Sequence, residues 1–233
     1  MALKPLKTED STYTFFDDEY REAMHSLSGA YREALYMHVL PSRVLEKEGT
    51  VCVLDVGLGL GYNVLALLYE ARKRNANAFY HIVSFEKNPA MPCTMETIMF
   101  HDDRDELYKL IRKAAIEKEV TTAWFNHVVL YGDARKLIAS MPEDYFDAVF
   151  HDPFSPAKNP ELWTVDFLKR CIMYAGMTVL LPPILRHSIY ALQCIRLVLQ
   201  WALVHRWDAK KKELSPQGKM QMLFHWAMII LLH

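Results

Sequence analysis

An α/β fold with a doubly wound, mostly parallel sheet is predicted by three features of the sequence. Apolar, strand-like runs alternate with helical patterns across short links. Four of those runs end on acids, Asp55, Glu86, Asp133 and Asp152, and the first is followed at once by Gly57-Leu-Gly-Leu-Gly61. Ligands of open parallel sheets bind beyond the carboxyl ends of the strands, so the four acids mark one edge as functional.

Ser11 to Phe16 alternates as a short strand, and Asp17-Asp-Glu19 precedes a helical pattern running to about His38 and ended by Pro41. Val51 to Val56, apolar except for Asp55, suits a strand buried on both faces. From Asn63 to Arg74, Val64, Leu65, Leu67, Leu68 and Ala71 share one helical face, and Arg72, Lys73 and Arg74 gather where cations favour a helix C-terminus. Tyr80 to Phe85 is the second strand. Asn88-Pro89 opens another helix with Met91, Met95 and Met99 as a core stripe, and His101 to Glu119 reads as a charged, exposed insertion. Phe125 to Tyr131 is the third strand, followed by a short helix to Ser140, and Phe146 to His151 is the fourth.

The chain has 233 residues, 52% hydrophobic and 24% charged, which excludes disordered, collagen-like and repeat classes. A formal net charge of −1 excludes a uniformly basic nucleic-acid coat and leaves only a local patch. Cys52, Cys93, Cys171 and Cys194 form no C-x-x-C pair, and His25 and His151 have no second ligand at metal-binding spacing, so neither disulfides nor a metal site are expected. The N-terminus lacks a secretory or transit pattern and no apolar run reaches the length of a membrane span, so a cytoplasmic location is expected.

The glycine loop departs from the dinucleotide fingerprint by one residue, and Asp55 before it suits a ligand amine better than a pyrophosphate. Glu86 is placed to accept from ribose hydroxyls, and Asp133 from an adenine amine or, alternatively, from the helix it would cap. Together they describe a pocket for a nucleoside with a cationic amino-acid appendage, S-adenosylmethionine. The loop His151-Asp-Pro-Phe-Ser-Pro-Ala-Lys-Asn-Pro-Glu-Leu-Trp163 holds three prolines and is built to keep its shape. Asp152 in it is placed to hold a substrate amine, or alternatively to form a turn before Pro153. Phe154 and Trp163 stack on a base or pin the loop to the core. Lys158 belongs to a candidate basic surface with Lys169, Arg170 and the cluster Arg206 to Lys212.

These segments, together with Thr8-Glu-Asp10, Glu22-Ala-Met-His-Ser26, Ser84-Phe-Glu-Lys-Asn88 and Tyr131-Gly-Asp-Ala-Arg135, make the chain resemble the methyltransferase domain of MnmC-type tRNA-modifying enzymes over about 8–178. The resemblance implies a Rossmann-like class I S-adenosylmethionine-dependent methyltransferase that methylates the aminomethyl group of a modified wobble uridine, giving 5-methylaminomethyl-2-thiouridine. It further implies a stand-alone form without a flavin oxidase domain, tRNA as partner, and a functional link to a system that forms the aminomethyl group. By resemblance Gly57, Gly59, Gly61, Glu86 and Asp133 bind the donor, His25, Ser26 and Asn63 lie near its amino-acid end, and Asp152 holds the substrate amine. Asp55 stands where such enzymes more often carry Glu.

Residues 1–170 carry 20 basic and 26 acidic side chains and 171–233 carry 7 and 2. With Pro182-Pro183 interrupting the expected strand, this divides the chain into a core at 1–179 and an atypical segment at 180–233, read as frameshifted near 171–185 or strongly diverged. Two other functions remain open on the sequence: a spermidine-synthase-like aminopropyltransferase, and an inactive remnant or binding protein.

Overall fold

The structure is a computed structural model and describes residues 4–74 and 77–174. Cys194, the Arg206 to Lys212 cluster, Pro182-Pro183 and the 180–233 segment lie outside the described residues.

Two sheets form. The first is a small antiparallel sheet of β1 (Lys4–Lys7), β2 (Tyr13–Asp17) and β3 (Glu22–Ala23). The second has five strands: β4 (Gly49–Val56), β5 (Ala78–Glu86), β6 (Glu119–Thr121), β7 (Phe125–Tyr131) and β8 (Ala148–His151). Its order is β6-β7-β5-β4-β8, with the last four strands parallel and β6 antiparallel at one edge.

β4 explains why both faces are covered. Val51 and Val53 point into one apolar core and Cys52, Leu54 and Val56 into another, the period-two alternation of a strand packed on both sides. The first core lies under α3 (Tyr62–Lys73), whose residues 62–68 are all buried, and under α5 (Arg104–Glu117). The second is filled by residues of α6 (Ala134–Leu137) and α7 (Val165–Tyr174). Asp55 and Ser84 lie opposite each other on the α3 side, and His127 follows on β7, so one polar row crosses three strands beneath the helix.

Four expectations fail. The helix expected after Asp17 does not begin until α1 (Ala30–Ala34), because β3 and the turns up to Gly29 take the chain back along β2. Nor does Pro41 stop it: α1 runs into a π turn (Leu35–Val39) and α2 (Leu40–Ser42), which ends at Arg43 in a left-handed conformation. The expected insertion at 101–119 is α5, which buries Leu107, Tyr108, Ile111, Ala114 and Ala115 and is part of the core. Because α4 (Met91–Met95) ends early, Met91 and Met95 are buried but Met99 is 66% exposed.

Candidate active site

The carboxyl ends of β4, β5, β7 and β8 open onto a cavity of about 580 Å³, a volume typical of small-molecule sites. Gly57, Gly59, Glu86, Asp133, Asp152 and Phe154 line it from the sheet side, and Asp17, Tyr20 and His25 from the small antiparallel sheet and its turns.

The glycine loop brings these groups close. Gly57 has φ +96°, and a Cβ there would stand 2.7 Å from the backbone oxygen of Asp152, so a side chain would push the two loops apart. Gly59 N–H donates to Glu86 Oε2 at 2.9 Å and Asn88 N–H to Oε1 at 2.7 Å. A carboxylate has about four acceptor positions, so both oxygens of Glu86 are anchored by backbone and retain acceptor capacity toward the cavity. Burial pushes this carboxyl above its usual range, and those N–H groups oppose the rise. Gly61, by contrast, does not line the cavity; at φ +80° it precedes α3, and a Cβ would meet Ile111 of α5 at 3.0 Å.

Asp133 caps α6, accepting from Arg135 N–H at 2.9 Å, and pairs with the Arg135 guanidinium at 2.6 Å; the Arg135 side chain holds the carboxyl down at about 2. Capping and cavity lining thus coexist in one residue.

Asp152 follows β8, with its side chain 16% exposed. Asn63 Nδ2 donates to its Oδ2 at 3.0 Å, and His38 Nε2 stands 3.6 Å from its Oδ1. Burial pushes the carboxyl up, but His38, His25 and the Asn63 amide outweigh that and hold it at about 2. It is therefore an anion facing the cavity at neutral pH.

Asp55 is fully buried and does not line the cavity; it accepts from Ser84 Oγ at 2.8 Å and from Asn63 Nδ2 at 3.3 Å. Burial pushes its carboxyl up to about 7, and the Asp152 charge adds to the rise. Asn63 is likewise behind the cavity wall, as the link between the two aspartates. Ser26 is exposed outside the cavity, its N–H donating to Glu33 at 2.7 Å. Lys158 is exposed and also outside.

The two aromatic residues separate. Trp163 is 2% exposed, donates from Nε1 to Phe154 O at 2.7 Å and packs edge-on against His151 at 4.7 Å, so it pins the loop instead of offering a stacking face. Phe154 faces the cavity and stacks on Tyr20 at 4.2 Å between centroids and 16° between planes. A second tie joins this loop to the small sheet: Ser155 Oγ donates to Glu22 Oε2 at 2.7 Å. Tyr20, Glu22 and His38 were not singled out from the sequence as catalytic-loop contacts, because pairing across 130 residues and a π turn leave no local signature.

An acidic cavity to which the loop presents Gly57 and Gly59, with Leu58 and Leu60 buried away from it, fits a cationic nucleoside. Glu86 retains acceptors for hydroxyls, and Asp133 and Asp152 carry negative charge toward any sulfonium or ammonium.

Comparison with known proteins agrees. Residues 99–178 match a family described as S-adenosyl-L-methionine-dependent methyltransferase. The crystal structure of MnmC2 from Aquifex aeolicus superposes with a TM-score of 0.75 at 33% identity, over 84% of this chain and 64% of that one. The uncharacterized protein MJ0670 of Methanocaldococcus jannaschii is 34% identical over 167 residues, 70% of this chain and 45% of that protein. The tRNA 5-methylaminomethyl-2-thiouridine biosynthesis bifunctional protein MnmC of Burkholderia vietnamiensis is 26% identical over 94% of this chain. The chain spans 45% and 35% of the lengths of these two relatives. The fold, the acidic cavity and these likenesses together identify an S-adenosyl-L-methionine-dependent methyltransferase domain of the MnmC type.

Proposed function

We propose that the chain is an N-methyltransferase acting on the aminomethyl group of a modified wobble uridine in tRNA, forming 5-methylaminomethyl-2-thiouridine. The observation that carries this reading is Asp152: an ionised carboxylate lining the cavity, held by Asn63 on one oxygen and facing His38 with the other.

S-adenosylmethionine, when bound, supplies the electrophilic methyl group. Gly57 and Gly59 would admit it without steric cost, Glu86 and Asp133 would accept hydrogen bonds from its nucleoside, and His25 lines the same cavity. Asp152 would accept from the substrate nitrogen, orient its lone pair for attack and stabilise the charge that develops. The Tyr20–Phe154 stack offers an aromatic surface for the uracil ring. Ser155 and Glu22 keep that surface in register with Asp152.

The reading includes a core at 1–179, tRNA bound through a local basic surface, and a cytoplasmic site of action. Among the described residues no helix is long and apolar enough to cross a membrane. It is supported by the relatives named for 5-methylaminomethyl-2-thiouridine biosynthesis.

The test is incubation of the full chain with S-adenosylmethionine and tRNA bearing the unmethylated aminomethyl nucleoside, followed by nucleoside mass spectrometry. A 14-dalton gain on that nucleoside, about one methylene, is expected in wild type and lost in Asp152→Ala. Methylation that persists in the variant, or that falls on another nucleoside, would refute the assignment.

A further inference from the structure

His38 is the most unusual buried group of the site. It lies on the π turn Leu35–Val39, a rare local geometry that recurs at functional positions. Its side chain is 0% exposed, and neither ring nitrogen has a hydrogen-bond partner among the described residues. Buried imidazoles usually pair at least one nitrogen, so an orphaned ring aimed at a carboxylate invites a role beyond packing. Its Nε2 is 3.6 Å from Asp152 Oδ1, one small side-chain adjustment from a hydrogen bond. Asp152 Oδ2 is held by Asn63, which leaves Oδ1 as the oxygen that serves both the cavity and His38.

The surroundings suit a transient positive charge. The titratable groups that face His38 are His25 before α1, Glu33 on α1, Asp55 on β4, His151 on β8 and Asp152 after it. Burial disfavours the charged forms of His25 and His151, lowering His151 to about 3. Phe150 closes one side at 5.9 Å.

We propose that His38 is the proton acceptor behind Asp152, taking through its carboxylate the proton that a substrate ammonium must lose before the nitrogen can attack. The inference rests on an amine being the substrate, as under the proposed function. An amine of lysine-like basicity, pKa about 10.4, is only about one part in 2,500 neutral at pH 7, so an enzyme without an acceptor would wait for the minor form. The ammonium N–H bond breaks as an O–H bond forms at Asp152 Oδ1. That bond breaks in turn as Nε2–H forms, leaving an imidazolium beside a regenerated carboxylate and a neutral amine with a free lone pair. After methyl transfer the imidazolium returns its proton through Asp152 to water. His38 touches no substrate and is a positioning residue for the proton.

Two measurements test this on the full chain. Nitrogen NMR of the histidine-labelled protein, with the His38 signals assigned by their loss in His38→Gln, needs no tRNA. Asp152→Asn is expected to change the protonation pattern of that ring between about pH 5 and 9. Identical His38 signals in wild type and Asp152→Asn would overturn the proposal. In the methylation assay His38→Gln is expected to lose about 100-fold in rate at pH 7 and to recover about tenfold per pH unit toward pH 9, while wild type stays flatter. A loss of equal size at every pH means a packing role and also overturns it. If wild type methylates no tRNA, the proposed function fails, and the nitrogen spectra still decide whether His38 and Asp152 share a proton.

Discussion

Asn63 Nδ2 bridges two carboxylates, donating to Asp152 Oδ2 at 3.0 Å and to Asp55 Oδ1 at 3.3 Å. A residue on the first turn of α3 thus ties the acid on β4 to the one on the loop after β8. The bridge sets the orientation of the Asp152 carboxylate before any ligand arrives.

Asn63→Leu removes the bridge while keeping a similar volume. It leaves Asp55 and Asp152 without their shared donor, at a cost of about 1–3 kcal/mol in stability. Misorientation of Asp152 is expected to lower the methylation rate by about 100-fold. Thermal melting and single-turnover rates, measured side by side, check both numbers.

The buried Asp55 gives a pH signature of definite sign. Its folded-state pKa, pushed up to about 7, lies above the unfolded value, so its contribution is fully present below about pH 4 and is lost as pH rises through 7. The difference is roughly 4 kcal/mol across that window. Asp55→Asn has no such proton to lose; it keeps an oxygen acceptor for Asn63 and presents an amide donor to Ser84 Oγ in place of the oxygen that accepts from it. Relative to wild type, its melting temperature is expected to rise steadily from pH 4 to 8. A constant difference over that range would mean that Asp55 titrates normally.

Gly57→Ala places a Cβ 2.7 Å from the Asp152 backbone oxygen at φ +96°. A destabilisation of about 1–3 kcal/mol and a donor affinity lowered at least tenfold are expected. Gly59→Ala meets only Gly57 O, at 4.0 Å, and pays mainly for its φ of +49°, about 1 kcal/mol. Melting curves and donor titrations of the two variants give the contrast.

Trp163→Phe removes the Nε1 donor to Phe154 O while keeping an aromatic ring in the core. A stability loss of about 1 kcal/mol is expected. Unchanged stability with weakened tRNA binding would instead assign Trp163 to base stacking.

The sheet was legible because its strands are buried on both faces and end on polar residues. β7 begins and ends where the sequence placed it, and β4 starts two residues earlier than read. α5 was misread as an insertion because its charges, Arg104 to Glu117, hide a buried stripe of Leu107, Ile111, Ala114 and Ala115 at helical spacing. The helix expected from Asp17 failed for another reason. Tertiary pairing of β3 with β2 overrides local propensity, which no short window records. In the site, Glu86, Asp133 and Asp152 were legible as strand-end acids that face the cavity. Asp55 was read as a ligand contact, yet the alternation that buries Val51 and Val53 also turns it under α3. His38 was illegible because its relation to Asp152 arises from a π turn and from packing between distant segments.

The central claim is that the acidic cavity holds S-adenosylmethionine with Glu86 on its ribose, and calorimetric titration of the full chain, in parallel with Glu86→Ala, tests it most directly. One-site binding in the micromolar range, weakened at least tenfold in the variant, is the predicted result. A folded chain that gives no heat of binding, or one whose affinity is untouched by Glu86→Ala, would contradict the account.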